Sequence, residues 1–164
     1  MCSSDLAGRW RRSLYTYIKR QSPPPWLLTF DAPTREKCTA RRQATNTPLQ
    51  ALVLLNDETF VAAARALAIR AIQVQSDDRE RISFLWQTIF TRDPDAEELE
   101  VMHGLLHRQR ERFIRDPKSA ATFAGVAANL VSSKEGSVQE DGDRAAWAFL
   151  AHTMLNLDEA ISKR

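Results

Sequence analysis

Apolar residues recur every three or four positions through the last two thirds of the chain, and this spacing constrains the fold more than any other feature. Such spacing places them on one face of a helix. A candidate N-cap at Asp77 or Asp78 and a capping-box pattern of Asp95 and Glu98 precede two of these stripes, and a shorter helix is expected after Asp116 and Pro117. The last predicted helix carries the stripe Trp147, Leu150, Met154, Leu157 and Ile161. Amphipathic helices must pack together to bury such faces, so the sequence predicts an all-α fold, an irregular bundle of about six helices.

One helix start is marked by three consecutive signals. Thr47 suits the N-cap, Pro48 suits the first helical position, and Gln50 completes a reciprocal capping box with Thr47. The run ALVLL at residues 51–55 is apolar on nearly every side, which predicts that this helix is buried. Further along, Ser132–Asp143 is polar and contains two glycines, so it is predicted to be a loop before the last helix.

The N-terminal part of the chain has a different character. Residues 9–46 carry nine Lys or Arg against two acidic residues, whereas the whole chain has a net charge of +2. Three consecutive prolines, Pro23–Pro25, remove three backbone donors and favour polyproline geometry. We therefore predict an extended basic arm at 9–46 that forms one domain with a helical part at 47–164. Four apolar side chains are expected to fasten the arm into a groove: Trp26, Leu27, Leu28 and Phe30.

The first eight residues are interpreted as a sequencing artefact and a truncated start. MCSSDL, with a GTG start codon, back-translates into the end of a common sequencing adapter. We therefore expect the natural polypeptide to continue upstream. Without Cys2, Cys38 stands alone and a disulfide framework is excluded. No apolar run reaches the roughly 18–20 residues that span a bilayer, and the first residues lack the features of a secretory signal.

The histidines offer two further hypotheses. On one predicted helix, a metal-ligand pattern is formed by Glu100, His103, His107 and Glu111. This face points away from the apolar stripe of its helix, where no surrounding groups would fix the ligands, so we predict no metal site. Cys38 with a histidine would make a nucleophile and a base, but no local motif supports the pair. A small buried apolar Cys is the preferred interpretation.

The basic arm interleaves cations with aromatic rings. The members of this pattern are Arg9, Trp10, Arg11, Arg12, Tyr15, Tyr17, Lys19 and Arg20. Charge combined with aromatic faces suits single-stranded nucleic acid. No recognised nucleic-acid motif accompanies the pattern, however, and so aromatic a segment also suits packing on the chain's own surface. Packing is favoured, and nucleic-acid binding stays an alternative.

Side chains able to bind a ligand concentrate around the first helix start. These candidates are Asp31, Arg35, Cys38, Arg41, Arg42, Thr45, Asn46, Thr47, Asn56 and Asp57. Arginines suit carboxylates or phosphates, and backbone N–H groups at a helix N-terminus favour an anion. One interpretation is therefore a small anionic or sugar ligand beside residues 45–47. The favoured interpretation is structural: the three arginines pair with the aspartates and fasten the arm onto the first helix.

Several stretches carry the motifs of one known family. They read RRSLYT at 11–16, PPP at 23–25, FDAPTREKC at 30–38, RRQATNTPLQALVLLND at 41–57 and LNLDE at 155–159. With these motifs the chain resembles a domain of unknown function that is abundant in planctomycete bacteria. The resemblance covers essentially the whole chain after its first residues. The stretch at 41–57 is the most specific part, while the helices between 76 and 144 match mainly by pattern.

The resemblance implies a setting and no reaction. Members of that family are large exported proteins in which this domain is C-terminal, after a second domain of unknown function and often with a c-type cytochrome segment. Haem would need C-x-x-C-H, and Cys38 is followed by Thr39, Ala40 and Arg41, so no cofactor is expected in this chain. We expect an extracytoplasmic helical module that is structural, or completes a site, beside an upstream domain of the same polypeptide. The alternatives are part of an enzyme, acting on polysaccharide through the Asp/Arg/Thr-Asn-Thr cluster, and nucleic-acid binding.

Overall fold

A computed structural model of the protein describes residues 17–19, 22–33, 38–41, 45–128 and 138–161. Within these residues the regular elements are helices, and the remaining backbone pairing is an isolated bridge between Lys19 and Ser22. The predicted all-α class is thereby confirmed. None of the described helices is long and apolar enough to cross a membrane. The helices are α1 (Pro25–Thr29), α2 (Pro48–Asn56), α3 (Glu58–Val74), α4 (Asp78–Phe90), α5 (Ala96–Arg115), α6 (Pro117–Ala128), α7 (Val138–Leu155) and α8 (Asp158–Ile161).

The chain divides into two compact units, Met1–Leu54 and Leu55–Arg164. The first unit contains α1 and most of α2, and the second contains α3 to α8. The division therefore falls within α2, later than the boundary at residues 46 and 47 that the sequence suggested. The stretch interpreted as an artefact, residues 1–8, lies outside the described residues.

Part of the arm is helical, although extended backbone was predicted for it. Pro25 occupies the first position of α1, where its missing N–H removes no helical hydrogen bond and its fixed φ suits the helix. The helix is short, and Leu27 is its buried residue at 8% exposure. Trp26 and Leu28 remain 39% and 50% exposed. These two side chains are thus well exposed, and the groove expected to hold the arm stays a prediction.

Helix α2 begins as predicted but is not buried as predicted. Its buried residues are Gln50 and Leu54, which lie one turn apart on the same face. On the opposite side Leu49, Leu52 and Leu55 are 57%, 56% and 48% exposed. A helix that is apolar all round can bury every side only where neighbours surround it. Within the described residues, the side chains on one side of α2 are buried and those on the other side are exposed.

The core of the second unit is organised around α7, which packs against α3, α5 and α6. Trp147, Leu150 and Met154 on α7 are fully buried. Alanines supply much of the rest of the core on both α3 and α7, and small side chains allow two helices to approach closely. On these two helices the buried alanines are Ala64, Ala68, Ala71, Ala145, Ala146, Ala148 and Ala151.

The predicted stripes of α4 and α5 lie in this core. Their buried members are Ile82, Leu85, Trp86, Met102, Leu106 and Phe113. The predicted loop at Ser132–Asp143 is wrong in its second half, because α7 already begins at Val138. Acidic residues in the first turn favour the positive end of the helix dipole, and α7 has Glu140 and Asp141 there. The polar composition of this stretch suggested a loop, but its acidic residues also fit the first turn of a helix.

Candidate functional site

The end of α1 places Asp31 in an unusual backbone conformation. Ala32 N donates to Leu27 O at 2.9 Å, and Asp31 N donates to Leu28 O at 3.2 Å. These two bonds form a Schellman motif, whose C′ residue adopts the left-handed conformation. Asp31 has φ of 55°. Glycine takes this conformation without strain, and Asp tolerates it better than most residues. An Asp at a position that suits Gly indicates that the carboxylate has a role.

That role is to bind the segment just before α2. Oδ2 of Asp31 accepts hydrogen bonds from Thr45 N at 2.9 Å and from Thr45 Oγ1 at 2.6 Å. A charged acceptor makes both bonds stronger than neutral ones. The same oxygen lies 3.3 Å from Nε2 of Gln50. One carboxylate oxygen therefore joins the end of α1 to the start of α2.

Gln50 is the buried centre of this arrangement, at 2% exposure. Its Nε2 donates to Thr29 O at 2.9 Å and approaches Thr45 Oγ1 at 3.2 Å. Its Oε1 accepts from Thr47 N at 3.2 Å, while Gln50 N donates to Thr47 Oγ1 at 3.3 Å. The predicted capping box is confirmed. The contacts of Gln50 with Thr29, Asp31 and Thr45 were not predicted. A single polar residue beside an apolar run is the sequence feature that could have indicated them. We call Asp31, Thr45, Thr47 and Gln50 the Asp31 cluster.

Three other candidates of the first unit lie at its surface. Cys38, Arg41 and Asn46 are exposed. Cys38 is a free thiol and not the buried apolar residue that was preferred from the sequence. Arg41 forms no ion pair within the described residues, so the structure gives no support to its expected pairing with an aspartate. Arg35 and Arg42 lie outside the described residues, and their pairing stays a prediction.

The last two candidates stand at the junction of α2 and α3. Asn56 is the exposed final residue of α2. Asp57 is the N-cap of α3, and its Oδ1 accepts from Thr59 N at 2.8 Å. An acidic N-cap satisfies an otherwise unbonded N–H and also interacts favourably with the helix dipole. In the second unit Asp57 therefore acts as a helix cap.

The histidine face of α5 is engaged in surface pairs. His107 Nδ1 lies 3.6 Å from Glu111 Oε1, and Glu100 accepts from Arg79 Nη2 at 3.0 Å. Among the residues that the structure describes, no group of three His, Cys, Asp or Glu side chains is arranged to hold a metal ion. The cations and rings of the basic arm lie mostly outside the described residues. Of its members, Tyr17 is 84% exposed and Lys19 is exposed.

A guanidinium joined to two carboxylates connects distant parts of the second unit. Arg92 donates to both oxygens of Glu98 at 2.7 and 2.8 Å and to both oxygens of Glu159 at 2.8 Å. It also lies over the ring of Trp86, with Cζ 5.4 Å from the centroid. Hydrogen bonds from Arg92 lower the pKa of Glu98 to about 2 and hold the pKa of Glu159 below its usual range. Arg92 thus fastens α8, which begins with the last two residues of the LNLDE motif, to the start of α5.

A second network surrounds Trp147. Arg110 donates Nη2 to Asp78 at 3.0 Å and Nε to Asp143 at 2.6 Å, and Nη1 makes a further bond to Asp78. Arg81 Nη1 reaches Asp78 at 3.4 Å. Both guanidinium groups lie over the Trp147 ring, with Cζ 5.7 and 5.8 Å from its centroid. The hydrogen bond from Arg110 lowers the pKa of Asp78, while burial opposes this shift. This network joins α4, α5 and α7, and the sequence did not indicate it.

The fold and these networks define a class of protein: a small all-helical domain in which polar side chains fasten loops and helix ends. Residues 3–106 match the family described as PSD1, a protein of unknown function (DUF1553). The chain therefore belongs to this family. This confirms the expectation of a domain of unknown function. No curated protein and no solved structure matched the chain.

Proposed function

We propose that this chain is a structural module that packs against another domain of a larger polypeptide and helps to complete a surface or site there. The observation that carries the proposal is the exposed apolar face of α2. Leu49, Leu52 and Leu55 are spaced by three residues, so they lie on one side of the helix, and each is about half exposed. Contiguous exposed apolar side chains mark interaction surfaces in soluble proteins.

The Asp31 cluster supports this proposal. Its side chains bind one another and the neighbouring backbone, with Gln50 buried at 2% exposure between Thr29, Asp31 and Thr45. Such bonds fix the orientation of α2 relative to the end of α1, within the first unit. A helix held in this way presents a defined apolar face to a partner, and preorganisation reduces the entropy lost on association.

Two α2 variants test the proposal, with a matched control on another helix. Leu49→Lys and Leu52→Lys place charges on the exposed face, while Ile114→Lys changes an apolar residue on α5 that is 57% exposed. In the isolated chain we expect small effects from all three, about 0.5 kcal/mol or less, as for surface substitutions. In the longer natural polypeptide we expect the α2 variants to lower the unfolding midpoint of this domain and to increase its proteolysis. If they behave there like Ile114→Lys, the face contacts no neighbouring domain.

The setting of the module is proposed from the family resemblance. We propose an extracytoplasmic protein with an upstream domain of the same polypeptide, and with c-type haem carried outside this chain. The sequence of the intact gene tests both points, because a signal sequence and a C-x-x-C-H motif would have to be present. The enzyme alternative, with Asp31 or Asp57 as an acid or base, has less support: one carboxylate binds Thr45 and the other caps α3.

A further inference from the structure

Arg65 is a buried cation in the middle of α3, at 6% exposure. Within the part of the chain that the structure describes, it forms no ion pair. Its hydrogen bond runs from Nη2 to Thr122 O and is long, at 3.3 Å. Its Nε is buried and has no acceptor. Buried charges in proteins are normally paired, and a buried donor without a partner calls for an explanation such as an absent ion or water.

The Nε edge of this guanidinium has no acceptor, while an aromatic ring lies over one of its faces. Cζ of Arg65 lies 5.4 Å from the ring centroid of Phe123, so the ring covers one face of the group. The same ring lies 6.4 Å from that of His152, which is 7% exposed. Burial lowers the pKa of Arg65, and Glu58, two turns earlier on α3, opposes this shift through its charge. An arginine stays protonated in proteins, so the buried positive charge persists.

Two other arginines of the same unit show what usually accompanies such a charge. Arg92 and Arg110 are each bonded to two carboxylates, although their side chains are 38% and 29% exposed. Arg65 is more buried than either, and its environment is therefore less polar. Electrostatic attraction for an anion is stronger in such an environment than at the surface. The most buried of the three arginines is therefore the one without an ion pair among the described residues, although the charge of Glu58 acts on it.

We propose that Arg65 is the centre of a binding site for a small oxyanion, a carboxylate or phosphate group, which accepts hydrogen bonds from Nε and from the Nη atoms. The planar fork of Arg matches two oxygens of such a group. The anion comes either from a free small molecule or from a carboxylate of a binding partner. This site is separate from the exposed face of α2, and the inference does not depend on the proposed function.

The experiment titrates the full 164-residue chain with sodium phosphate and, separately, with sodium acetate, against sodium chloride of equal ionic strength. We expect one of the two oxyanions to raise the thermal midpoint in a saturable way, by about 2–5 °C at a tenfold excess over its Kd. A response to phosphate only indicates a phosphate-type ligand. A response to acetate only indicates a carboxylate, such as one from a partner. In the same titration the ¹⁵N–¹H resonance of Arg65 Nε should shift.

Variants of two arginines on α3 identify the site. Arg65→Met removes the guanidinium and should abolish the response, while Arg65→Lys keeps the charge without the fork and should weaken it several-fold. Arg70→Met is the control: it removes the same charge from the same helix, from an exposed side chain that also lies over a ring, 6.0 Å from the centroid of Phe84. It should keep the full response.

Three results would overturn the proposal. One is the absence of any saturable midpoint change beyond that in chloride, for both oxyanions. Another is an equal response in the wild-type chain and Arg65→Met, which would show an adventitious anion effect only. The third is an unchanged Nε resonance of Arg65 at saturating phosphate and acetate. Because this last measurement uses the wild-type chain, it decides the question even if a variant fails to fold.

Discussion

Replacing Asp31 separates two opposing effects at one residue. Its left-handed backbone, with φ of 55°, is strained for any residue with a Cβ, and glycine would relieve roughly 1 kcal/mol of that strain. Its carboxylate accepts hydrogen bonds from Thr45 N and Oγ1 at 2.9 and 2.6 Å, and lies 3.3 Å from Gln50 Nε2. Hydrogen bonds to charged groups contribute about 1.5–3 kcal/mol when buried. Asp31 is partly exposed and Thr45 is exposed, so we take about 1 kcal/mol for each bond.

The hydrogen bonds should outweigh the strain. Asp31→Gly loses about 2–3 kcal/mol of bonding and regains about 1, so we expect a net loss of about 1–2 kcal/mol. Asp31→Ala keeps the strain and loses the bonds, so it should cost about 2–3 kcal/mol. Asp31→Asn retains an acceptor and tolerates the left-handed region, so it should cost about 1 kcal/mol or less. The expected order of stability is wild type, Asn, Gly and then Ala.

Hydrogen exchange is the appropriate assay because it resolves local opening. The amide of Thr45 donates to the carboxylate, and the amide of Ala32 closes the Schellman motif. In Asp31→Gly, the Thr45 amide should exchange roughly 5–30 times faster, as follows from a loss of about 1–2 kcal/mol. The exchange of amides in the second unit, such as that of Leu106, serves as an internal control. A Gly variant whose Thr45 amide is protected as well as, or better than, that of the wild type would refute the reasoning.

Two further predictions concern the second unit. Arg92 lowers the pKa of Glu98 to about 2, so the ion pair stabilises the fold above about pH 4.5 and this stabilisation is lost as the pH falls towards 2. The wild-type chain should therefore lose more of its urea unfolding midpoint between pH 5 and pH 3 than Glu98→Gln does. An equal loss in both chains would contradict this. Ala68 is 1% exposed in the α3 part of the core and has no room for a larger side chain, so Ala68→Leu should lower the free energy of unfolding in urea by about 1–3 kcal/mol. The control Ala66→Leu changes an exposed residue of the same helix and should change that free energy by about 0.5 kcal/mol or less. Equal effects would show that the core is not closely packed there.

The fold was predictable where periodicity extends over several turns. The stripes of α4 and α5 recur often enough that one face is defined, and Leu85 and Leu106 are fully buried. Periodicity could not identify α1, because five residues make little more than one turn. There the three prolines suggested extended backbone, although a proline at the first helical position is compatible with a helix. The Schellman ending depends on Asp31 taking a conformation that the sequence pattern associates with glycine.

The site was predictable in its location and only partly in its contacts. Asp31, Thr45 and Thr47 were candidates, and pairing of the carboxylate with Arg35 or Arg42 stays a prediction. The contacts of Asp31 with Thr45 and Gln50 were not predicted, since hydrogen bonds between a carboxylate and neutral groups leave no pattern of opposite charges in a sequence. Pairs between helices were beyond prediction for another reason. Arg92 and Glu159 are 67 residues apart, and one charge on a helix surface resembles another until the packing is known.

The two units are stabilised in different ways, and the difference bears on function. In the second unit, apolar side chains from α3, α4, α5 and α7 form a continuous buried core. Among the described residues of the first unit, the buried ones are Leu27, Gln50 and Leu54. Hydrogen bonds such as those of the Asp31 cluster fix the orientation of the groups they join, but they contribute only a modest net free energy to folding. The conformational entropy lost by each ordered residue opposes folding. A unit built in this way gains most from covering its exposed leucines. Docking of the α2 face on a neighbouring domain would supply that burial, so the surface proposed for binding is also the surface whose burial would stabilise the unit.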